Sequence, residues 1–478
     1  MNLQEKKWFQ RLHEVKADLV KSHDNAKDPI ERWFADEKDL YSDTAHFVYE
    51  LLQNADDAGS SEARFILREE GLLFAHRGKE IKRFTISSFE TKEQDEGTSR
   101  YGSVNALTDR NGTTKTEDNR KGNAIGKFGR GFKSVYGYTN TPYIYDENLR
   151  FRIERFVIPV DLSDKPDCTE RQPGETLFFL PFNRQGAMPS QEAVGQILKK
   201  FEDLVFPTLF LRNLRKVSFS YGNVSGEYEK VISNEKLVTC KPDDKAEIIQ
   251  MIYKKTGPTE NASTGRHDDF VVFTRKRNDG LEVSVGFFLD EDKSLKKCPK
   301  RYPAFCFFPT KHETQLSFII HAPFRLNATR EGIKDETAEP HNGHMIETLA
   351  ELAADSVEYL RDMKDANGSS LVKDDILDML PTNTTTKEDF MDKLDLSPFA
   401  AKMRKKFETA SVIPTKSGGH VATVHAYWPD SQEISNVFSE DQLQALTGDH
   451  EARWIFASRW ADVNRETDKS KYYFIEAI

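Results

Sequence analysis

Two segments of the chain combine residue types and spacings that could do chemistry. The first is Glu50-Leu51-Leu52-Gln53-Asn54-Ala55-Asp56-Asp57-Ala58. At about 100° per residue of helix, Glu50, Asn54 and Asp57 fall within roughly 60° of one another, while Val48, Leu51, Leu52, Ala55 and Ala58 take the other side. One helix would bury its apolar face and present two carboxylates and an amide together. The same pattern also suits an ordinary amphipathic helix with a solvated polar face. The second segment is Gly126-Lys127-Phe128-Gly129-Arg130-Gly131-Phe132-Lys133-Ser134-Val135-Tyr136. Glycines at i, i+3 and i+5 let backbone N–H groups come close to an anion, and the residues after Gly131 could open a helix whose N-terminus favours phosphate. Lys127, Arg130 and Lys133 add positive charge. A tight glycine turn between strand and helix would need the same glycines. No Gly-Lys-Ser/Thr closes a Walker A run, and the spacing is the reverse of a dinucleotide fingerprint.

The elements that must position these segments follow from periodicity. The first forty-five residues are charged and helix-permissive, with Trp8, Phe9, Leu12, Val15 and Leu19 at helical spacing. A second helix is predicted over 45–58, then short strands at 63–68 and 72–75 joined by Glu69-Glu70-Gly71. Residues 89–125 are polar and read as a lid or a disordered segment. Strand-like runs follow at 151–160 and 176–181, and a helix at 191–211. The stretch 222–266 is polar, with a loop at 255–266. Strands are predicted at 270–274, 281–289, 304–308 and 316–321. A long amphipathic helix then carries Met345, Leu349, Leu352, Ala353, Val357 and Leu360 on one face. Asp365-Ala366-Asn367-Gly368-Ser369-Ser370 reads as a linker.

Composition narrows the class. A length of 478 residues gives a prior of about three domains. The 68 basic and 78 acidic residues leave a net charge of −10, which argues against a protein that coats nucleic acid but leaves room for a local basic groove. Mean hydropathy is −0.65 and no apolar run approaches the about 18 residues of a membrane span. The N-terminus has no secretory h-region. Four cysteines without a CxxC pair suggest neither a disulfide scaffold nor a zinc ribbon. The expectation is a cytoplasmic protein that does not engage a membrane. Its 33 phenylalanines, against 15 tyrosines, call for aromatic-rich buried strands.

Taken together, the Glu-x-x-x-Asn-x-x-Asp helix, the polar lid and Gly-x-x-Gly-x-Gly-Phe resemble the ATP-binding domain shared by gyrase, the ninety-kilodalton heat-shock chaperones, histidine kinases and mismatch-repair ATPases, the GHKL group. Pro173-Gly174-Glu175-Thr176-Leu177 resembles the Gly-Thr turn that closes the adenine pocket of that group. In detail the match is to sacsin-type ATPases, through 50–58 and through Gly131-Phe132-Lys133-Ser134-Val135-Tyr136 with Thr139 and Pro142 behind. The resemblance covers about 40–360. It implies an α/β fold: a Bergerat-type α/β sandwich over 1–222 with its lid at about 89–125, an α/β middle domain over 223–366, and a smaller mixed segment over 370–478.

The resemblance also implies roles. Glu50 is the general base for the attacking water, worth roughly 10²–10⁴-fold in such enzymes. Asn54 holds Mg2+, and Asp57 faces the nucleotide or supports its pocket. Gly126, Gly129 and Gly131, with Phe128 and Phe132 between and after them, wrap the phosphates, and Thr176 lies near the base. Lys115, in Gly112-Thr113-Thr114-Lys115, would touch a phosphate on lid closure or simply be solvated. The family's adenine-reading turn is Asp-x-Gly-x-Gly. Its counterpart here is His76-Arg77-Gly78-Lys79-Glu80, so a histidine replaces the carboxylate. A neutral His accepts one hydrogen bond in the right tautomer, and a structural turn residue would look the same. The preference for ATP over another nucleotide stays open.

Farther on, Leu326-Asn327-Ala328-Thr329-Arg330-Glu331 resembles the middle-domain catalytic loop of the heat-shock chaperones, which makes Arg330 an arginine finger, worth about 10³–10⁵ in rate in other ATPases. A role in bracing a strand end is the alternative. Lys311 could instead mimic the middle-domain lysine of gyrase and mismatch-repair relatives. His341 and His344 lack a third ligand in register. The expected function is a Mg-dependent ATPase of the chaperone type acting on a protein client or partner subunit, with ATP-dependent homodimerisation as an option. A DNA-directed ATPase and a non-hydrolysing nucleotide-gated scaffold are the competing classes. The tail to Ile478 ends in an apolar, strand-like run, which reads as a chain cut within a domain.

Overall fold

The computed structural model describes residues 1–23, 46–78, 84–88, 102–109, 131–183, 190–233, 238–257, 263–327, 331–373, 376, 394–428 and 432–455. The chain divides into two compact units, Met1–Val231 with Met251–His267, and Ile232–Gln250 with Asp268–Ile478.

The N-terminal unit contains α1 (Leu3–His23), α2 (Phe47–Asp57), β1 (Glu62–Arg68), β2 (Gly71–His76), α3 (Ser103–Leu107) and a 3-10 helix (Gly131–Gly137). These are followed by β3 (Tyr143–Tyr145), β4 (Arg150–Glu154), β5 (Ile158–Asp161), β6 (Thr176–Pro181), α4 (Ser190–Glu202), β7 (Lys216–Tyr221) and β8 (Val224–Ile232). The strand order is β8-β7-β1-β2-β6-β3-β4-β5. The β1–β7 pair is parallel, and β1–β2, β2–β6, β3–β6, β3–β4 and β4–β5 are antiparallel. β2 lies between β1 and β6 and is buried at all six positions, which is why its sequence Gly-Leu-Leu-Phe-Ala-His shows no alternation. β1 buries every second residue: Ala63, Phe65 and Leu67.

One face of this sheet takes up much of the phenylalanine surplus. Phe65 lies 4.7 Å from Phe74 and 4.8 Å from Phe201 of α4, ring centre to ring centre. Phe178 lies 5.5 Å from Phe132, and Phe151 lies 5.9 Å from Phe9 of α1. Such aromatic contacts add to the burial of large apolar rings. Leu73, Ala75 and Leu177 form a smaller cluster with Tyr145, Cys168 and Phe179 on the opposite face.

The C-terminal unit packs helices against a second group of strands. The chain runs β9 (Asp244–Thr256), β10 (Ser263–Lys276), β11 (Glu282–Leu289), β12 (Pro303–Cys306), β13 (Phe308–Glu313), β14 (Ile319–His321), α5 (Pro340–Asp362) and α6 (Ser397–Thr409), then short strands and helices to Trp454. The division between the units falls within β9 and β10. The order here is β13-β12-β14-β11-β10-β9. Val271, Phe273 and Phe287 from the sheet share one core with Leu349, Leu352 and Val357 of α5, with Phe399, Met403 and Phe407 of α6, and with Ile413 and Ile455.

Several sequence expectations change. The segment 365–370 does not separate two cores: it is a turn inside the C-terminal unit, where Asp365 Oδ1 accepts the N–H groups of Asn367 and Ser369, each at 2.9 Å. The polar stretch 222–266 holds β8, all of β9 and the start of β10. In β8 the half-exposed Glu227 and Glu229 alternate with buried Gly226, Tyr228 and Lys230. Phe219 covers Gly226, where a Cβ would fall 2.3 Å from the ring. The strand expected over 151–160 is a hairpin of β4 and β5, turned at Arg155 and Phe156 with φ of 46° and 66°. The helix expected over 191–211 stops at Glu202, short of Pro207.

Candidate functional site

α2 buries Val48, Leu51, Leu52 and Ala55, as its periodicity required. The polar face divides into separate roles. Glu50 is only 4 % exposed, with His46 Nε2 3.8 Å from its carboxylate. Asn54 and Asp57 are half-buried. Asp56, to which the sequence had given no role, is an anchor. Its carboxylate accepts the backbone N–H groups of Asn213 (2.7 Å) and Leu214 (2.8 Å), and Asn213 Nδ2 donates to its carbonyl (2.9 Å). The C-terminal end of α2 is thereby tied to the entry of β7.

The end of β2 closes against that same helix end. A Cβ on Gly78 would lie 3.1 Å from the carbonyl oxygen of Ala58, so only a residue without a side chain fits without a shift. The Arg77 N–H donates to Ser60 Oγ (3.1 Å). His76 and Thr176 are register partners across β2 and β6, and Thr176 continues to Asp146, at the end of β3.

His76 is almost wholly buried, its ring stacked on Phe178 at 6.2 Å and tilted on Phe74 at 5.7 Å. Its Nδ1 is buried without a hydrogen-bond partner. Burial pushes its pKa down to about 4, against a smaller upward pull from the Glu175 charge, so the ring is neutral at pH 7. Thr176 Oγ1 donates to Asp146 Oδ2 at 2.6 Å, and both residues are buried. Nothing in the local sequence singles out Asp146. Asp146-Glu147-Asn148 between two strands has the composition of a turn, and its partner is 30 residues away.

The turn before β6 is held from several sides. Gly174 has φ of +79°, and its N–H donates to Glu147 Oε1 (2.8 Å). Arg77 donates to the Pro173 carbonyl (3.0 Å) and Arg171 to the Glu175 carbonyl (3.1 Å). Glu175 takes two hydrogen bonds from Arg64, at 3.0 and 2.7 Å, and one from the Gln172 N–H at 2.8 Å. Burial alone would raise its pKa, but the hydrogen bonds and charge of Arg64 hold it below the ordinary carboxylate value.

Gly131 begins the 3-10 helix, which packs against α2. Phe132 is a buried side chain whose ring lies against Phe178. Lys133, counted among the positive charges of the glycine segment, is buried and donates to the Asp109 carbonyl. Asp109 follows α3, the part of the expected lid that is described. α3 is clasped to 84–88 by Val104 N–H to Thr85 (3.1 Å) and by Ser87 N–H to Asn105 Oδ1 (3.0 Å).

Lys115, Gly126, Phe128, Gly129 and Arg330 lie outside the described residues. The flanks of Arg330 are pinned within the C-terminal unit: Asn327 N–H donates to the Gly332 carbonyl (2.8 Å), and buried Asn342 bridges the carbonyls of Arg325 (2.9 Å) and Lys334 (2.8 Å). Lys311 pairs with Glu331 at 2.6 Å. His341 Nε2 is 3.1 Å from the Pro323 carbonyl.

Fold and site together describe an α/β protein whose N-terminal unit gathers a polar helix face, the end of a central strand and a Gly-Thr turn. Residues 38–153 match the family model of the Sacsin domain, so the sacsin-type resemblance read from sequence holds over that segment. Protein NO VEIN of Arabidopsis thaliana is 27% identical over 351 residues, 67% of this chain. The chain spans only 11% of that relative's length. Among solved structures, the ATPase region of Saccharomyces cerevisiae topoisomerase II aligns at a TM-score of 0.26 with 12% identity, over 44% of this chain and 58% of that one. The N-terminal domain of a DNA repair protein aligns at 0.30 with 11% identity, over 64% of this chain and 92% of that one. Among the described residues, no helix is long and apolar enough to cross a membrane.

Proposed function

We propose that the N-terminal unit is a GHKL-type module that binds ATP with Mg2+ and hydrolyses it, and that this cycle acts on a protein client or partner. The observation that carries the reading is the buried row at the end of the sheet, where His76 keeps a ring nitrogen without a partner beside Thr176. An unpaired buried polar atom costs roughly 1–3 kcal/mol, a cost that a ligand group bonding to it would remove.

The residues present fit both components of the ligand. At the base end, neutral His76 and the Thr176 hydroxyl supply hydrogen-bonding groups against an aromatic wall formed by Phe74 and Phe178. On α2, the half-buried amide of Asn54 is a hard oxygen donor. Mg2+ takes one or two protein oxygens beside phosphate oxygens and water, so a single amide suits it. Among the described residues, no group of three or more His, Cys, Asp or Glu could hold a metal by itself. When bound, Mg2+ supplies neutralisation of phosphate charge. Glu50 lies one helical turn before Asn54, on the same face, and acts as the general base that orients and deprotonates water. Asp57 supports the pocket, and Gly78 lets β2 close on α2. In this reading Gly126, Phe128, Gly129, Gly131 and Lys115 line the phosphates, and Arg330 contributes the cation that completes turnover.

The test is nucleotide titration and turnover on the full chain, with and without DNA and with and without an unfolding client protein. Saturable ATP binding with client-responsive turnover supports the proposal. Turnover that rises only with DNA would assign the module to the DNA-directed class, and binding without turnover would make it a scaffold.

A further inference from the structure

The row His76–Thr176–Asp146 contains a proton arrangement that decides what it can read. A carboxylate only accepts hydrogen bonds, so the proton in the 2.6 Å contact between Thr176 Oγ1 and Asp146 Oδ2 is the threonine's. A hydroxyl has one proton. Once it is committed to Asp146, Thr176 faces any ligand with lone pairs alone. Asp146 is fixed in place as well: it is buried, and its Oδ1 accepts the Asn148 N–H at 3.3 Å. Next in the row, the buried Nδ1 of His76 has no partner. With the ring proton on Nε2, that nitrogen is a second acceptor.

We infer that Asp146 is a specificity-positioning residue: by taking the Thr176 proton it makes the row a pair of acceptors, which selects a nucleobase carrying an exocyclic amine over one carrying an oxo group. An amine has two N–H groups to offer the two acceptors. An oxo group at the same place would set lone pairs against the lone pairs of Thr176. This takes over the discriminating role of the carboxylate that His76 replaces, but from a different strand and through a hydroxyl. A site built to bond a donor rejects a ligand without one strongly, because its own buried groups are left unpaired. The inference rests on the proposed nucleotide site.

The experiment compares ATP with inosine triphosphate, which carries oxo for amino at the six-position, by calorimetric titration of the full chain. The wild type is expected to bind ATP at least about tenfold tighter, a gap of roughly 1.4 kcal/mol. Asp146→Asn can donate as well as accept, which frees the Thr176 proton, and is expected to shrink the gap to about threefold or less. Thr176→Ser keeps the hydroxyl and should retain the wild-type gap. Should Asp146→Asn fail to fold, Thr176→Ala, which removes the hydroxyl itself, carries the same expectation of a collapsed gap. ATP bound with an unchanged gap in these variants overturns the role of Asp146 and leaves the nucleotide site standing. Equal binding of both nucleotides by the wild type does the same. Binding of neither overturns the nucleotide site and this inference with it.

Discussion

His76 and Thr176 stand opposite each other across β2 and β6, and the two meet the same burial in different ways. Thr176 gives its proton to Asp146, while His76 keeps a buried ring nitrogen unpaired and gives up its charge instead. The end of the central strand therefore has polarity in reserve, at the place where α2 also ends.

That surrender of charge makes a pH signature. The His76 pKa is about 4 when folded against 6.5 for the free side chain, so the unfolded chain binds the proton more tightly. Stability is full above about pH 6.5 and falls as the pH drops toward 4. Between pH 7 and pH 5 the loss amounts to about 2 kcal/mol from this residue. Chemical unfolding at both pH values should show His76→Phe losing about 2 kcal/mol less on acidification than the wild type. Equal losses would show that the ring is not held neutral.

Asp56 and Asp57 are neighbours with opposite tasks. Asp56→Ala strips the buried Leu214 N–H and the partly buried Asn213 N–H of their acceptor and should cost about 2–4 kcal/mol of stability. Asp57→Ala should cost less than about 1 kcal/mol, as expected of a half-exposed side chain. Urea midpoints of the two variants check this, and a reversed order would refute it.

Arg64 and Glu175 form a partly buried pair beneath the Gly-Thr turn, with 22% and 8% of their side chains exposed. Arg64→Met leaves the Glu175 carboxylate uncompensated and should destabilise by about 3 kcal/mol. Adding Glu175→Gln should recover at least half of that in a double-mutant cycle, whereas additive losses would mean the two residues act separately.

How much of this could be read in the chain depends on the range of each interaction. α2 was legible because its apolar residues recur at helical spacing, which also set Glu50, Asn54 and Asp57 on one face. β1 and β2 were legible because their runs are short and a turn punctuates them. Asp146 was not, because strand pairing, not spacing, brings it to Thr176. The anchoring role of Asp56 was hidden for the same reason: its partners Asn213 and Leu214 belong to a distant turn. In β8, Glu227 and Glu229 on the half-exposed face, with Lys230 among the buried positions, disguised a strand as a polar stretch. Gly368 and its polar neighbours at 365–370 marked a real turn, but no local signal says whether a turn joins two cores or lies beside one.

The proposed ATP hydrolysis on the α2 face depends on Glu50 as its base. Its most direct test is turnover and ATP affinity measured together on the wild type and on Glu50→Gln, which keeps the shape of the side chain and removes its basicity. The expected result is ATP affinity within about threefold of wild type and turnover lower by roughly 10²–10⁴-fold. Turnover in Glu50→Gln equal to that of the wild type, with ATP bound equally well, would contradict it.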